Sequence, residues 1–255
     1  MPMVSVQMAH LSHHFPTRLG VLPVLDDVGL TIAPGSFVSI VGTSGCGKST
    51  LLKLVAGLET QTGGRIQLSG QSPARQRQQK QIGWMSQQAA LLPWRTVLEN
   101  VELPLLINRQ TAANSLPAPM ELLQIVGLAE FADAYPHTLS GGMQQRAALV
   151  RTLAISAALW LMDEPFAALD ELTRESLADL LLSLWQQFQT TVLWVTHSLA
   201  EAVRLSDRVV LLSPRPGRVI GDIVVPLPRP RDDTGPAFQA IMRQVRQTLR
   251  EGANA

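Results

Sequence analysis

Short apolar runs ended by glycine or proline alternate with longer stretches whose apolar residues recur every three or four positions. Residues 3–8 and 24–32 read as short strands separated by a turn-like segment from Pro16 to Pro23. Phe37-Val38-Ser39-Ile40-Val41 is a β-rich run that stops at Gly42. From Lys48 to Ala56 the spacing is helical, with Leu51, Leu52 and Val55 on one face and Gly57 placed to end it. Arg65 to Leu68 reads as a further strand, and the polar, Gln- and Arg-rich residues 71–81 as a surface loop. Val97 to about Tyr135 is helical in pattern but broken by Pro104, Pro117 and Pro119, which predicts an inserted helical lobe. Strand runs resume at Leu159 to Met162, Val192 to Val195 and Arg208 to Leu212, and helical patterns at 142–155, 171–188 and 198–204 flank them. Short β runs alternating with helices predict a parallel sheet covered by helices. Residues 226–237 are Pro-rich and predicted to be extended. Beyond them Phe238, Ile241, Met242, Val245 and Leu249 share one helical face, to be covered by the chain's own domain or by a partner.

Composition narrows the class. The chain has 255 residues, is 46% apolar and 16% charged, and carries a formal net charge of +1. That is globular composition, enough for one large domain or two intimate lobes. The near-neutral balance argues against a general nucleic-acid binder. The most apolar stretch, Ala147 to Met162, is interrupted by Arg151, Thr152 and Ser156, so no bilayer span is expected. The N-terminus has no basic segment followed by an apolar core, so no secretion signal is expected. Cys46 is the sole cysteine, which excludes an internal disulfide and fits a reducing, cytosolic setting.

The chemistry lies in two motifs. Gly42-Thr43-Ser44-Gly45-Cys46-Gly47-Lys48-Ser49 fits G-x-x-x-x-G-K-[ST], between a predicted strand and a predicted helix, with Thr50 next. Such a loop turns backbone N–H groups toward a polyphosphate, and the glycines permit the close approach. The following helix starts at the phosphates and favours their charge. Lys48 is expected to reach the β- and γ-phosphates and Ser49 to bind Mg²⁺. Cys46 has no partner base and is expected to be dispensable. The second motif is the apolar run Ala158 to Met162 that ends in Asp163-Glu164-Pro165. Two adjacent acids can share one site only if the strand stops between them, and Pro165 supports a stop. Asp163 then suits the Mg²⁺ shell, and Glu164 is free to act as general base on an attacking water.

Taken together with Leu139-Ser140-Gly141-Gly142-Met143-Gln144-Gln145-Arg146 shortly before the acidic pair, the sequence resembles the nucleotide-binding subunits of ATP-binding cassette (ABC) transporters. Gln87 matches that family's Q-loop glutamine, Ala168-Leu169-Asp170 its D-loop, His197 its switch histidine, and Phe15 its adenine-stacking aromatic. The resemblance implies an α/β fold: a P-loop NTPase core with a parallel sheet, an N-terminal antiparallel β part and an inserted helical lobe. It places the ATP-binding domain at about 4–236, with the lobe at about 88–155, and a C-terminal helix and tail at 237–255. It implies ATP and Mg²⁺ as cofactors, with Gln87 also close to the metal. It further implies a homodimer in which Ser140, Gly141, Gly142 and Asp170 face the nucleotide of the opposite chain. His10 and His14 stand four apart, but in a strand-then-turn segment that does not suit a metal site.

Departures from the family pattern are small: Met143 replaces the commoner glutamine, Ala167 a Ser or Gly, and Phe15 a Tyr. Leu91 to Val101, the Leu-Ser-Gly-Gly-Met form of the signature and Ser213-Pro214-Arg215-Pro216-Gly217-Arg218 resemble the branch that imports nitrate, sulfonate, taurine or bicarbonate. That branch also includes importers of pyrimidine-like vitamin precursors. Leu92, Pro93 and Trp94 are expected either to pack the lobe or to border a groove for a permease helix. The resemblance implies a separate transmembrane permease, an extracytoplasmic solute-binding protein, no nucleic acid, and a peripheral position on the cytoplasmic face of the inner membrane. A non-transport ABC ATPase, a small-molecule kinase and a non-hydrolysing regulatory subunit are the alternatives. The kinase leaves the signature, D-loop and His197 unexplained.

Overall fold

The computed structural model describes residues 3–18, 20–108, 117–155, 157–167 and 169–252. Ser156 and Ala168, both singled out above, and the tail residues 253–255 lie outside the described residues. The chain opens with β1 (Val6–Thr17) and β2 (Gly20–Ile32), then β3 (Phe37–Val41), α1 (Lys48–Val55), β4 (Gly63–Leu68), α2 (Pro73–Gln78) and β5 (Ile82–Met85). Three helices follow, α3 (Val97–Ile107), α4 (Pro119–Ile125) and α5 (Gly141–Leu153). The remainder is β6 (Leu159–Asp163), α6 (Glu171–Phe188), β7 (Thr191–Thr196), α7 (Leu199–Leu205), β8 (Arg208–Leu212), β9 (Val219–Val224) and α8 (Pro236–Gly252).

Two sheets form among the described residues. One is antiparallel, in the order β2-β1-β4; the other has six strands in the order β5-β6-β7-β3-β8-β9. All pairs in the second are parallel except β8 with β9. Helix α1 sits between the sheets: its Leu51, Leu52, Leu54 and Val55 share a core with Val6, Met8 and Leu11 of β1 and with Val38 and Ile40 of β3. The other sheet face is covered by the helical lobe and α6. Trp160 and Met162 therefore pack with Val101, Leu122 and Leu181, while Leu159 and Leu161 of the same strand join the first core. This two-sided burial explains why β6 reads as an unbroken apolar run rather than an alternating one. A third core joins Val203 of α7, Val209 and Leu211 of β8 and Ile223 of β9 to Phe238, Ile241 and Val245 of α8. The C-terminal helix thus covers its apolar face on its own chain.

The structure corrects several expectations. Pro16 and Pro23 do not bound a turn; they lie within a long hairpin, opposite Val21 and His14. β2 is an edge strand, and β4 stops pairing with β1 at Ser12, so neither proline removes a needed ladder bond. Residues 71–81 contain a helix, α2, capped by the Ser72 hydroxyl and started by Pro73. Its Gln76 is buried and donates to the Leu68 carbonyl at 3.3 Å, so a polar segment packs through hydrogen bonds rather than apolar area. β5 and β9 are strands that the pattern reading did not include. β5 contains Gly83, where a Cβ would lie 3.1 Å from the Trp160 ring. No helix among the described residues is long and apolar enough to cross a membrane.

Candidate functional site

The glycine loop leaves β3 at Gly42 and enters α1 at Lys48. Gly47 takes φ +106°, and a Cβ there would stand 2.7 Å from Leu25 Cδ2 and 3.0 Å from the Val24 carbonyl. Only glycine fits that combination of backbone and space. Gly42 is closed in by Cys46 Sγ and the Leu212 carbonyl, at 2.7 and 3.0 Å from its would-be Cβ. Cys46 is buried against it, and burial pushes its thiol above the ordinary range, with Lys48 pulling the other way. A protonated, enclosed thiol is a poor nucleophile. No side chain caps the start of α1, so its N–H groups remain available to an anion. The Lys48 ammonium donates to the Gly42 and Thr43 carbonyls at 2.9 and 3.0 Å, which holds it across the loop.

The acidic pair separates as expected of a strand end. Asp163 is the last residue of β6 and is 5% exposed. Burial pushes its carboxyl above the usual range, and the Ser49 hydroxyl counters by donating to it. Its buried Oδ1 has no partner. A carboxylate with one unpartnered oxygen, next to a serine hydroxyl at a phosphate loop, suits a divalent cation such as Mg²⁺. Glu164 breaks the strand with φ 47°, and its N–H donates to the Val195 carbonyl at 2.9 Å. Glu164 Oε2 lies 3.1 Å from His197 Nδ1 and accepts from Gln87 Nε2 at 3.5 Å. Three elements thus converge on one carboxylate: the loops after β5, β6 and β7. All three are parallel strands of one sheet, whose carboxyl ends open on the same crevice.

The cleft has a volume of about 450 Å³. Phe15, Ser44, Gly45, Gly47, Lys48, Ser49, Thr50, Gln87 and Glu164 line it, together with Leu22, Val24 and Arg215. Phe15 faces Leu22 across the hairpin and meets His13 edge-on at 4.6 Å. The model of the ABC transporter family matches residues 25–167, more than half of the chain. The chain belongs to that family. An ABC transporter ATP-binding protein of Methanocaldococcus jannaschii is 41% identical over 97% of this chain and 92% of its own length. The aliphatic sulfonates import ATP-binding protein SsuB of Bacillus cereus is 37% identical over 98% of this chain and 97% of its own. Among solved structures, a dimeric ATP-binding cassette in a post-hydrolysis state with ADP and Pi superposes with a TM-score of 0.77 at 32% identity. That match covers 86% of this chain and 98% of the other. The protein is therefore an ABC ATPase, an ATP-binding and ATP-hydrolysing subunit with the cassette fold.

Nine residues singled out in the sequence do not line this cleft directly: Gly42, Thr43, Cys46, Asp163 and His197 adjoin the residues that do, whereas Ser140, Gly141, Gly142 and Asp170 belong to other helix starts. Ser140 caps α5, accepting from the Met143 N–H at 3.2 Å, and open space surrounds Gly141. Asp170 caps α6, and the Thr173 N–H holds its carboxyl below the usual range. Ser140, Gly141 and Asp170 are exposed, Gly142 is half-buried, and two helix starts face outward.

Several contacts around the cassette's site have no local sequence signal. Gln145, buried in α5, donates to the Gln87 carbonyl at 2.5 Å. Arg151 donates to the Ala89 and Ala90 carbonyls at 2.8 Å. The signature helix therefore grips the loop that carries Gln87. Behind His197, the Thr196 hydroxyl donates to Glu201 at 2.7 Å, and Arg174 pairs with Glu201 while donating to the Leu169 carbonyl at 2.9 Å. One carboxylate thus links Thr196, the neighbour of His197, to the backbone at Leu169. Gln145 stood inside the recognised signature; Glu201 and Arg174 stood in ordinary helical patterns.

Proposed function

We propose that this cassette powers uptake of a small sulfonate-like anion through a separate membrane permease. The observation that carries its hydrolytic role is the Glu164 carboxylate, held between Gln87 and His197 at the edge of the glycine-loop cleft. In this reading Phe15 stacks on adenine, and residues 42–50 cradle the phosphates with Lys48 on the β- and γ-oxygens. Ser49 and Asp163 would hold Mg²⁺, with Gln87 near that site, and the ion would supply positive charge to the phosphates. Glu164 accepts a proton from the attacking water as its oxygen bonds to the γ-phosphorus and the bond to ADP breaks. His197 keeps that carboxylate in place.

Two such chains would close head-to-tail, each offering Ser140, Gly141, Gly142 and Asp170 to the other's nucleotide. The uncovered helix start at Ser140 supports this, because its N–H groups and dipole favour an anion that its own chain does not supply. The dimeric cassettes with the same fold support it as well. Trp94, 70% exposed on the lobe beside Pro93, supports a docking contact with the permease. The ATP-binding domain would span about residues 4–236, with its helical lobe at about 88–155. The assembly would lie on the cytoplasmic face of the membrane, with an extracytoplasmic binding protein delivering solute. Similarity to the aliphatic sulfonate importers along nearly the full chain supports the choice of solute class. Deleting the gene should abolish growth of the source organism on an alkanesulfonate as sole sulfur source and leave growth on sulfate intact. Unchanged growth on alkanesulfonates would remove sulfonates from the reading.

A further inference from the structure

The Ser213–Arg218 segment, which carries part of the branch resemblance, joins β8 to β9 and has no role assigned in the proposed reaction. It is a tightly held turn. Ser213 N–H donates to the Arg218 carbonyl at 2.9 Å, and the Arg218 N–H returns a bond to Ser213 Oγ at 2.9 Å. The Ser213 hydroxyl also donates to the Pro216 carbonyl at 3.0 Å. Gly217 then fixes the turn to the hairpin: its N–H donates to the Val24 carbonyl at 2.8 Å, and its carbonyl accepts from Asp26 N–H at 3.1 Å. A Cβ on Gly217 would stand 2.3 Å from the Cys46 carbonyl, so the turn also presses on the glycine loop. Arg218 pairs with Asp26 and fastens the far side.

All of this holds Arg215 at the wall of the nucleotide cleft. Arg208, Arg218 and Arg229, elsewhere in the same part of the chain, each pair with an aspartate. Arg215 is exposed and, among the described residues, makes no hydrogen bond or ion pair. Flanking Pro214 and Pro216 restrict its backbone, so only the side chain remains to be ordered on binding. A guanidinium kept free on a rigid turn, next to an anion-binding cleft, is suited to a planar or anionic ligand.

Resting on the ATPase reading of this cleft, we propose that Arg215 is a nucleotide-binding residue that grips the nucleoside half of ATP. The position of the turn favours that half. It is anchored on Val24, two residues along the same strand from Leu22, which faces Phe15. Phe15, Leu22, Val24 and Arg215 therefore form one wall, and the glycine loop with Lys48 forms the phosphate end. Adenine would lie against Phe15, and the guanidinium would donate to the ribose oxygens beside it.

The test is equilibrium binding of ADP and of inorganic pyrophosphate to the full chain by titration calorimetry. Arg215→Ala should weaken ADP about tenfold, as expected for one lost charge-assisted hydrogen bond, and leave pyrophosphate affinity unchanged. Lys48→Ala should weaken both ligands. Equal ADP affinity for Arg215→Ala and wild type would overturn the proposal, as would a parallel loss of pyrophosphate, which would place the residue at the phosphate end. Because Arg215 has no protein partner, its thermal unfolding should match wild type, so lost binding cannot be ascribed to misfolding. Failure of the wild-type chain to bind ADP would instead strike the ATPase reading itself.

Discussion

Glu164 occupies a left-handed backbone conformation that non-glycine residues seldom adopt (φ 47°). The conformation is held by its N–H bond to the Val195 carbonyl. Its effect is to place two adjacent carboxylates in different surroundings. Asp163 is enclosed beside Ser49, whereas Glu164 reaches Gln87 and His197. Replacing Glu164 by Gln keeps the shape and the contacts but removes the proton acceptor. Steady-state phosphate release by Glu164→Gln should fall about 10²- to 10⁴-fold, while ADP binding stays within a factor of a few of wild type. Near-normal turnover would show that another group accepts the proton. At this scale the chemistry was legible beforehand for residues fixed by local spacing, such as the glycine loop and the acidic pair. Arg215 and Glu201 were not, because their surroundings come from distant segments: Val24 and Cys46 for the first, Arg174 for the second.

Among the elements, α7 shows how a short helix is kept at the site. It has seven residues, too few to persist alone, and it follows directly on His197 and Ser198. Ser198 caps its start. Its last turn is held by Arg231, whose guanidinium donates to the carbonyls of Val203, Arg204 and Ser206. The same side chain bonds the Leu227 and Val225 carbonyls, and so ties the Pro-rich strap after β9 to the helix. Burial, aided by the nearby charge of Arg229, pulls its pKa down to about 10, which leaves it charged at neutral pH. Arg231→Met would strand these carbonyls. Urea unfolding should show a loss of about 1–3 kcal/mol; an unchanged midpoint would mean that water replaces the guanidinium without cost. Sequence periodicity located α6 and the helix near 198–204 but missed α2, β5 and β9. The missed elements are short, and each is stabilised by its neighbours: Gln76 bonding to Leu68, and β5 and β9 pairing with β6 and β8.

For the whole molecule, the central feature is that the cleft and the signature helix start do not meet within one chain. If ATP joins two copies, the hydrolysis-deficient Glu164→Gln protein should sediment as a dimer with ATP and Mg²⁺ and as a monomer without nucleotide. Adding Ser140→Ala to it should raise the ATP concentration needed for dimerisation. A chain that stays monomeric at high concentration with saturating ATP would exclude the closed dimer. Inside each chain, α5 is bonded to the loop that carries Gln87. Gln145 and Arg151 grip the loop carrying Gln87, so movement of the lobe and movement of that glutamine are mechanically joined.

The amino-acid sequence alone determined the phosphate loop, the acidic pair and the alternation of strands and helices. In each, the physical requirement is local: glycine where the backbone must turn, apolar residues at a fixed period, two acids where a strand ends. Tertiary structure alone decided the long hairpin through Pro16 and Pro23, the joining of three loops on Glu164 and the placement of Arg215 in the cleft. Those depend on which distant segments pack together, and no short stretch of residues encodes its neighbours in space.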